Sequence, residues 1–432
     1  MRKIVITLIL CIGFVVNAKT LTLNEAVRDA LAQNPQILAS IYNIEASKER
    51  EKKSYSGYMP SINFVTSYGR QTGNIAPRPG APAGDGPTNK SYNNFGLGLT
   101  LNQTIYDFGR TSGAVGEAKA RLSADSYDAE ALKLSIWELV CIRYSIVFAN
   151  QELLKVALRN EEVSKKYFEQ AVAFFESGTK PKLDKLRLEV EFKNAEAARV
   201  SAEAALKISK NNLLAVMGVT NFYDFSVEKL DKKVFVSEDL EIVEFSENAF
   251  EERPETAAIK EKIKVSEKAL KSVKSNFLPI LDFTAFFSDA GTDITKLSWN
   301  WGVGVEFRWP LFTGLSTYRS MKEVEQANNA LRLSLTAVEI EIKAEIEQAF
   351  ENIKTAVAKI EVFKAAVESA SEAAQAAESR YNTGSGNIVE LIDAQAGLAN
   401  SEANLVKAEF EKSVATIQWQ KALGKIPSEF VE

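Results

Sequence analysis

Four stretches of the chain alternate apolar with small or polar residues at a period of two. In the first, Ile62, Phe64, Thr66 and Tyr68 oppose Ser61, Asn63, Val65 and Ser67; in the second, Phe95, Leu97, Leu99 and Leu101 oppose Gly96, Gly98, Thr100 and Asn102. Leu281, Phe283, Ala285 and Phe287 then oppose Asp282, Thr284 and Phe286. Last, Trp299, Trp301, Val303, Val305, Phe307 and Trp309 oppose Asn300, Gly302, Gly304, Glu306 and Arg308. Period two predicts strands of a sheet with one apolar face. About ten residues let a tilted strand cross a bilayer, and an apolar face backed by small or charged residues suits a barrel wall between lipid and lumen. Trp299 and Trp309, near the strand ends, suit the interfacial aromatic belt. A soluble antiparallel sheet with helices packed on one face would carry the same alternation. Four strands enclose no lumen, because the smallest membrane barrels use about eight. A membrane barrel therefore requires several chains, and three would supply about twelve strands.

Between the strands the period changes. No proline falls between about Thr111 and Glu176, or between about Ser316 and Tyr381, and a helix over either span would be roughly 100 Å long. Ile346, Ile353, Ile360, Val367, Ala374 and Tyr381 recur every seventh residue, with Phe350 and Val357 in the neighbouring row. That spacing predicts a coiled-coil seam. Leu132, Leu139, Ile146 and Leu153 mark a shorter run in the first long helix. Shorter helices are expected over about 35–57 and 184–217, and alanines such as Ala195, Ala197, Ala198, Ala202, Ala204 and Ala205 permit close helix approach. Taken alone, an alanine-rich heptad pattern suits a poreless trimeric scaffold or adhesin. Joined to lipid-facing strands, it suits a rigid tube hanging from a barrel.

The pattern occurs twice. Asn34-Pro35 and Arg253-Pro254, and then Pro60 and Pro279, are each 219 residues apart; Gly178 and Gly384, and Gly218 and Gly424, are 206 apart. The change of offset removes 13 residues from the second half, most simply between its strands. The extra residues of the first half fall in 71–90, rich in proline and glycine and predicted to be a loop; its counterpart is a link near 289–298. A period near 200 is too long for a solenoid and predicts a duplicated half-molecule of helix, strand, loop, strand, long helix, turn and helix. The expected divisions are a signal peptide at 1–18, a first repeat at 19–218, a second at 219–424 and a tail at 425–432.

Composition narrows the chemistry. The chain has 52 basic and 57 acidic residues and no histidine. The commonest general base and metal ligand are thereby removed, and the balance is not that of a nucleic-acid binder. With no metal cluster or nucleophile elbow, no catalytic site, cofactor or metal is expected. Thr179-Lys180-Pro181-Lys182 lacks the spacing of a P-loop. Arg2 and Lys3, the apolar run Ile4 to Val16 and Val16-Asn17-Ala18 form the expected signal peptide, cleaved before Lys19. Cys11 follows Leu8-Ile9-Leu10, not a lipobox, and leaves with it. Cys141 is then the single remaining thiol, expected to be buried in a helix and unable to form an internal disulfide. Beyond the leader no apolar run nears the roughly 20 residues of a membrane helix, so membrane entry falls to the strands.

Three groups of residues resemble the signatures of TolC-type outer-membrane factors. They are Leu21-Thr22-Leu23-Asn24-Glu25-Ala26-Val27 with Ala30-Leu31 and Asn34-Pro35; Gln103 to Arg110, with Trp309-Pro310-Leu311-Phe312-Thr313-Gly314 as its partner; and Arg380-Tyr381-Asn382-Thr383-Gly384 continuing through Leu391-Ile392-Asp393-Ala394-Gln395 to Lys421-Ala422-Leu423-Gly424. The resemblance covers essentially the mature chain. It implies a mainly α fold with transmembrane β: a homotrimer whose chains each give four strands to one twelve-stranded outer-membrane barrel, continued by a long periplasmic α-helical barrel. An equatorial mixed region would include about 219–247 and the tail. It also implies partners, namely outer-membrane lipid, a periplasmic adaptor and an inner-membrane pump. The function implied is a passive exit duct for efflux or type I secretion, gated at its periplasmic tip.

The family's gate residues carry over position by position. Tyr381 matches its tyrosine, and Asp184, Glu390 and Asp393 match acidic positions, while the arginine position falls on Gly386. Three copies of each carboxylate around an axis would make anionic rings that favour cations, although Asp184 and Glu390 also suit helix beginnings. Gly178 and Gly384 are expected at the hairpin turns that meet the adaptor. Phe64, Leu97, Leu99, Phe283, Trp301, Val303 and Phe307 are expected to face lipid.

Overall fold

The computed structural model describes residues 19–72, 91–229, 253–424, 426, 427 and 430. The leader with Cys11, loop residues 73–90, residues 230–247 of the expected equatorial segment and most of the tail lie outside the described residues. In chain order the elements are β1 (Lys19–Leu21), α1 (Leu23–Gln33), α2 (Pro35–Ser54), a 3₁₀ turn (Tyr55–Tyr58), β2 (Ser61–Thr72), β3 (Ser91–Tyr106), α3 (Arg110–Glu176) and α4 (Lys182–Met217). Next come β4 (Phe225–Val227), α5 (Pro254–Ser275), β5 (Ile280–Gly291), β6 (Ser298–Arg308), α6 (Ser316–Asn382) and α7 (Ile388–Ala422). The order α2–β2–β3–α3–α4 recurs as α5–β5–β6–α6–α7. The described residues fall into two compact units, one from 1–40, 129–254 and 339–432 and the other from 41–128 and 255–338.

The first unit has its core around α3. Trp137, Val140, Cys141, Tyr144 and Val147 are fully buried against Ala26, Val27, Leu213, Leu214 and Met217, and Phe430 reaches Trp137 at a ring separation of 6.1 Å. The Tyr144 hydroxyl donates to the Leu21 carbonyl at 2.9 Å and accepts the Glu228 amide at 3.1 Å, tying down the parallel pair of β1 and β4. Burial pushes the Tyr144 hydroxyl up to about 12, so it stays a neutral donor. Burial, with Glu138 adding to it, likewise raises the Cys141 thiol; the residue is the inert core cysteine expected.

Helix ends follow local chemistry. Thr22 and Glu25 form a capping box at α1, satisfying two amides at once. Asn34 caps α2 by accepting the Gln36 amide at 2.8 Å and donates to the Val216 carbonyl at 2.7 Å. The second half repeats the device with another residue: Arg253, 2% exposed, donates to the carbonyls of Ala422 (3.2 Å) and Lys421 (3.3 Å) and pairs with Glu345 at 3.2 Å. Val216 and Ala422 are themselves 206 apart. Gly218 and Gly424 end those helices at φ +82° and +77°, and a Cβ at either would lie 2.8 Å from its neighbour, the Gln33 carbonyl or Cδ of Arg253.

The seam of α6 differs from the expected one. Ile346, Ile353, Ala374 and Tyr381 are buried as predicted, but the second row is Ile342, Ala349, Ala356 and Ala377. Val357 is exposed, and Phe350 is half-buried beside Trp419 at 6.2 Å. Steps of four and three close equally well on either side of a row, and alanine admits the nearer backbone approach. In α3, Leu132, Leu139, Ile146 and Leu153 are half-buried, while the buried stripe is Leu134, Trp137, Cys141 and Tyr144. Of the alanines singled out in α4, Ala195 is buried.

The second unit holds an antiparallel sheet in the order β2-β3-β5-β6. Its strands have 12, 16, 12 and 11 residues, longer than the alternation suggested, because Gly and Asn positions extend the pairing past the apolar run. β2 continues through Gln71 and Thr72, and β5 through Gly291, so the second link is 292–297 and not 289–298. The elbow before each long helix uses two adjacent left-handed residues, Phe108-Gly109 and Gly314-Leu315. Asp107 holds the first elbow, accepting the amides of Gly109 (3.1 Å) and Thr111 (2.6 Å) and the Thr111 hydroxyl.

Candidate functional site

The sheet of the second unit gathers the four apolar rows on one face. Phe64 pairs with Leu99, Leu99 with Phe287 and Phe287 with Trp301; Leu101, Ala285 and Val303 form the adjacent row, and Phe283 pairs with Val305 and Leu281 with Phe307. Directly opposed residues of a sheet share a face, so Phe64, Leu97, Leu99, Phe283, Trp301, Val303 and Phe307 stand together as expected. Phe64 is 65% and Trp301 64% exposed: the apolar face has no cover within the chain. Trp309 donates its indole N–H to the Phe277 carbonyl at 3.1 Å. The opposite face bears Asn63, Thr100, Asn102, Thr284, Glu306 and Arg308, with Thr104 donating to Asp282 at 2.9 Å. Phe286 also lies on that polar face, and its ring covers Gly302, where a Cβ would meet Cε1 at 2.6 Å.

The first unit holds the two hairpin turns, 177–181 between α3 and α4 and 383–387 between α6 and α7. Gly178 (φ +74°) and Gly384 (φ +77°) take the left-handed conformation that ends each helix, where glycine costs least. The amide of Lys180 bonds the Phe174 carbonyl at 3.2 Å, and that of Gly386 the Arg380 carbonyl at 2.8 Å, the same bond 206 residues on. A Cβ at Gly386 would lie 2.9 Å from the Arg380 carbonyl carbon, its Cβ and the Tyr381 amide nitrogen; the turn has no room for the family's arginine.

Tyr381 is 1% exposed, in a cluster with Tyr167, Ala171, Leu188, Ala377, Ile388 and Leu391. Phe174 meets its ring edge-on at 6.4 Å, and Lys180 Nζ lies 4.8 Å from the ring centroid. Burial first, then the Asp184 charge, raises the Tyr381 hydroxyl, which has no hydrogen-bond partner among the described residues. Asp184 and Glu390 occupy the first turns of α4 and α7, and Asp393 is exposed on α7. Glu390 is paired with Arg380 at 2.5 Å; Asp184 and Asp393 make no ion pair among the described residues. Arg380 and Lys180 were visible in the quoted motifs, but pairing with Glu390 and packing on Tyr381 need the folded turn.

No helix among the described residues is long and apolar enough to cross a membrane. An uncovered apolar sheet face, together with helices of 67 residues, defines a channel protein that enters lipid by strands. The chain belongs to the outer membrane efflux protein family, whose profile matches residues 26–219 and 245–425. It is similar to outer membrane protein TolC of Vibrio cholerae (24% identity over 95% of this chain and 92% of that one). It is also similar to alkaline protease secretion protein AprF of Pseudomonas aeruginosa (22% identity, 88% of this chain and 80% of that one). The fold matches a crystal structure of the transmembrane channel CusC at a TM-score of 0.82 and 15% identity, covering 94% and 92% of the two chains. The protein is an outer-membrane exit duct of the TolC type.

Proposed function

We propose that three copies close one twelve-stranded barrel and that the duct is passive, gated at the paired hairpin turns and driven by an inner-membrane pump through a periplasmic adaptor. The sheet register carries this reading. Its edges, β2 and β6, run in opposite directions, so β6 of one copy can pair antiparallel with β2 of the next until no edge is left, as a lipid-embedded sheet requires. The Phe64 and Trp301 face then meets lipid and the Thr284 face the lumen. The two halves are a duplicated unit, and the turns at Gly178 and Gly384 meet the adaptor. Asp184 and Asp393 form anionic rings at the tip, with Glu390 largely neutralised by Arg380. The relatives named above include a protease-secretion protein, which leaves small-molecule efflux and type I secretion as two cargo classes for one duct.

Reconstitution into planar bilayers tests the reading: a trimer is expected to conduct with cation preference, and Asp393→Ala is expected to lower that preference. A purified trimer silent under every condition would favour a poreless scaffold. Loss of the gene is expected to sensitise cells to toxic small molecules if the cargo is small, or to abolish appearance of one secreted protein if the duct serves type I secretion.

A further inference from the structure

Resting on the gate just proposed, we infer that Lys180 is the latch of the tip, holding it shut through the ring of Tyr381 and not through the tyrosine hydroxyl. Four observations converge on this. The hydroxyl of Tyr381 has no partner among the described residues, although the side chain is 1% exposed. The Lys180 ammonium, on the turn of the other hairpin, lies 4.8 Å from the ring centroid, within the range at which a cation is drawn to an aromatic face. Arg380 is turned to Glu390 of its own hairpin at 2.5 Å and does not bridge the two. Gly386, at the equivalent point of the second turn, has neither a side chain nor space for one.

The other polar contacts between the hairpins, Lys166 to Glu378 (3.3 Å), Gln395 to Tyr167 (3.0 Å) and Arg159 to Glu402 (2.6 Å), lie back along the helices from the turns. At the turns, Lys180 supplies the cation. Its backbone is fixed by the bond to the Phe174 carbonyl, and Phe174 itself packs on the Tyr381 ring. Separating the hairpins would return the ammonium to water and remove the ring from its partner, so the contact favours the closed tip. Attraction between a cation and a ring depends on charge and on the π face, and it does not require the hydroxyl.

Closed-state leak of the reconstituted trimer reads the latch. Tyr381→Phe is expected to leak no more than the wild type, and Lys180→Arg to stay close to it. Lys180→Met and Tyr381→Leu are expected to raise the open fraction by roughly tenfold, from a contact of ordinary strength lost in three copies. A Tyr381→Phe trimer as leaky as Lys180→Met, or a Lys180→Met trimer as tight as the wild type, would overturn the latch. Amide exchange across residues 379–388 gives a second readout that needs no conductance. Acceleration in Lys180→Met but not in Tyr381→Phe supports the latch even if no variant conducts, in which case the duct itself is what fails; equal exchange in the two variants overturns it.

Discussion

A side chain at Gly302 would have to displace the Phe286 ring from 2.6 Å, and this one contact explains both an aromatic residue on the polar face and a glycine in mid-strand. Gly302→Val is expected to cost on the order of 1–3 kcal/mol, the usual range for overpacking, and Phe286→Ala in the same chain should recover most of it. Thermal melting of the trimer compares the two. Arg253 and Asn34 perform the same task with different chemistry, since each satisfies a helix-terminal carbonyl of its own half. Arg253→Met leaves the carbonyls of Lys421 and Ala422 without their donor, and a loss of about 2–3 kcal/mol is expected, larger than the roughly 1–2 kcal/mol for Asn34→Ala. Urea unfolding of the two variants checks the order. The identity of neither residue could be inferred from its counterpart: the repeat preserved a carbonyl and a glycine, and two unrelated side chains came to fill the gap.

The elbow between β3 and α3 depends on a single carboxylate. Burial opposes the charge of Asp107, but the hydrogen bonds from Thr111 and Gly109 outweigh it and hold the group below its ordinary value of 3.8. Because the folded-state value is depressed, its contribution is present in full above about pH 4 and is lost as pH falls through the folded value. Asp107→Asn is therefore expected to lower stability near neutrality and to flatten its acid dependence, as circular dichroism over pH 2–7 (about five units) would measure. At the second hairpin turn, Gly386→Arg is expected to loosen the gate instead of locking it, because its Cβ already collides with Arg380 at 2.9 Å; faster amide exchange at 383–387 would register it. The heptad shows how far an element can be deduced from its pattern. The row through Ile346 and Ile353 was legible, whereas the choice between Phe350 and Ala349 depended on how closely the neighbouring helix approaches.

For the whole molecule the consequence of one-faced strands is depth-dependent. Val303→Arg, midway along the apolar face, is expected to destabilise the assembled barrel by about 2–4 kcal/mol. Thr284→Arg, on the other face where Gly304 leaves 3.8 Å of clearance, should change stability by less than about 1 kcal/mol and alter ion preference instead. Folding yields into lipid vesicles and single-channel reversal potentials measure the two effects. Equal penalties on both faces would contradict a lipid-and-lumen sheet.

Strand number, sheet polarity, helix spans and the two turn glycines were all determined by sequence alone, because they depend on period, proline placement and backbone strain, which act within a few residues. Even the acids that begin α4 and α7 could be placed. Pairing across distance was not available at that level. That the four apolar rows fall on one face depends on strand register, and that Glu390 faces Arg380 depends on the path of a turn. That Lys180 lies over Tyr381, and that Gly386 excludes a side chain, depend on two hairpins 206 residues apart in sequence meeting in space. Local preferences carry no record of such meetings. Packing decides them, since it selects which of several locally equivalent faces can approach without a void or a collision.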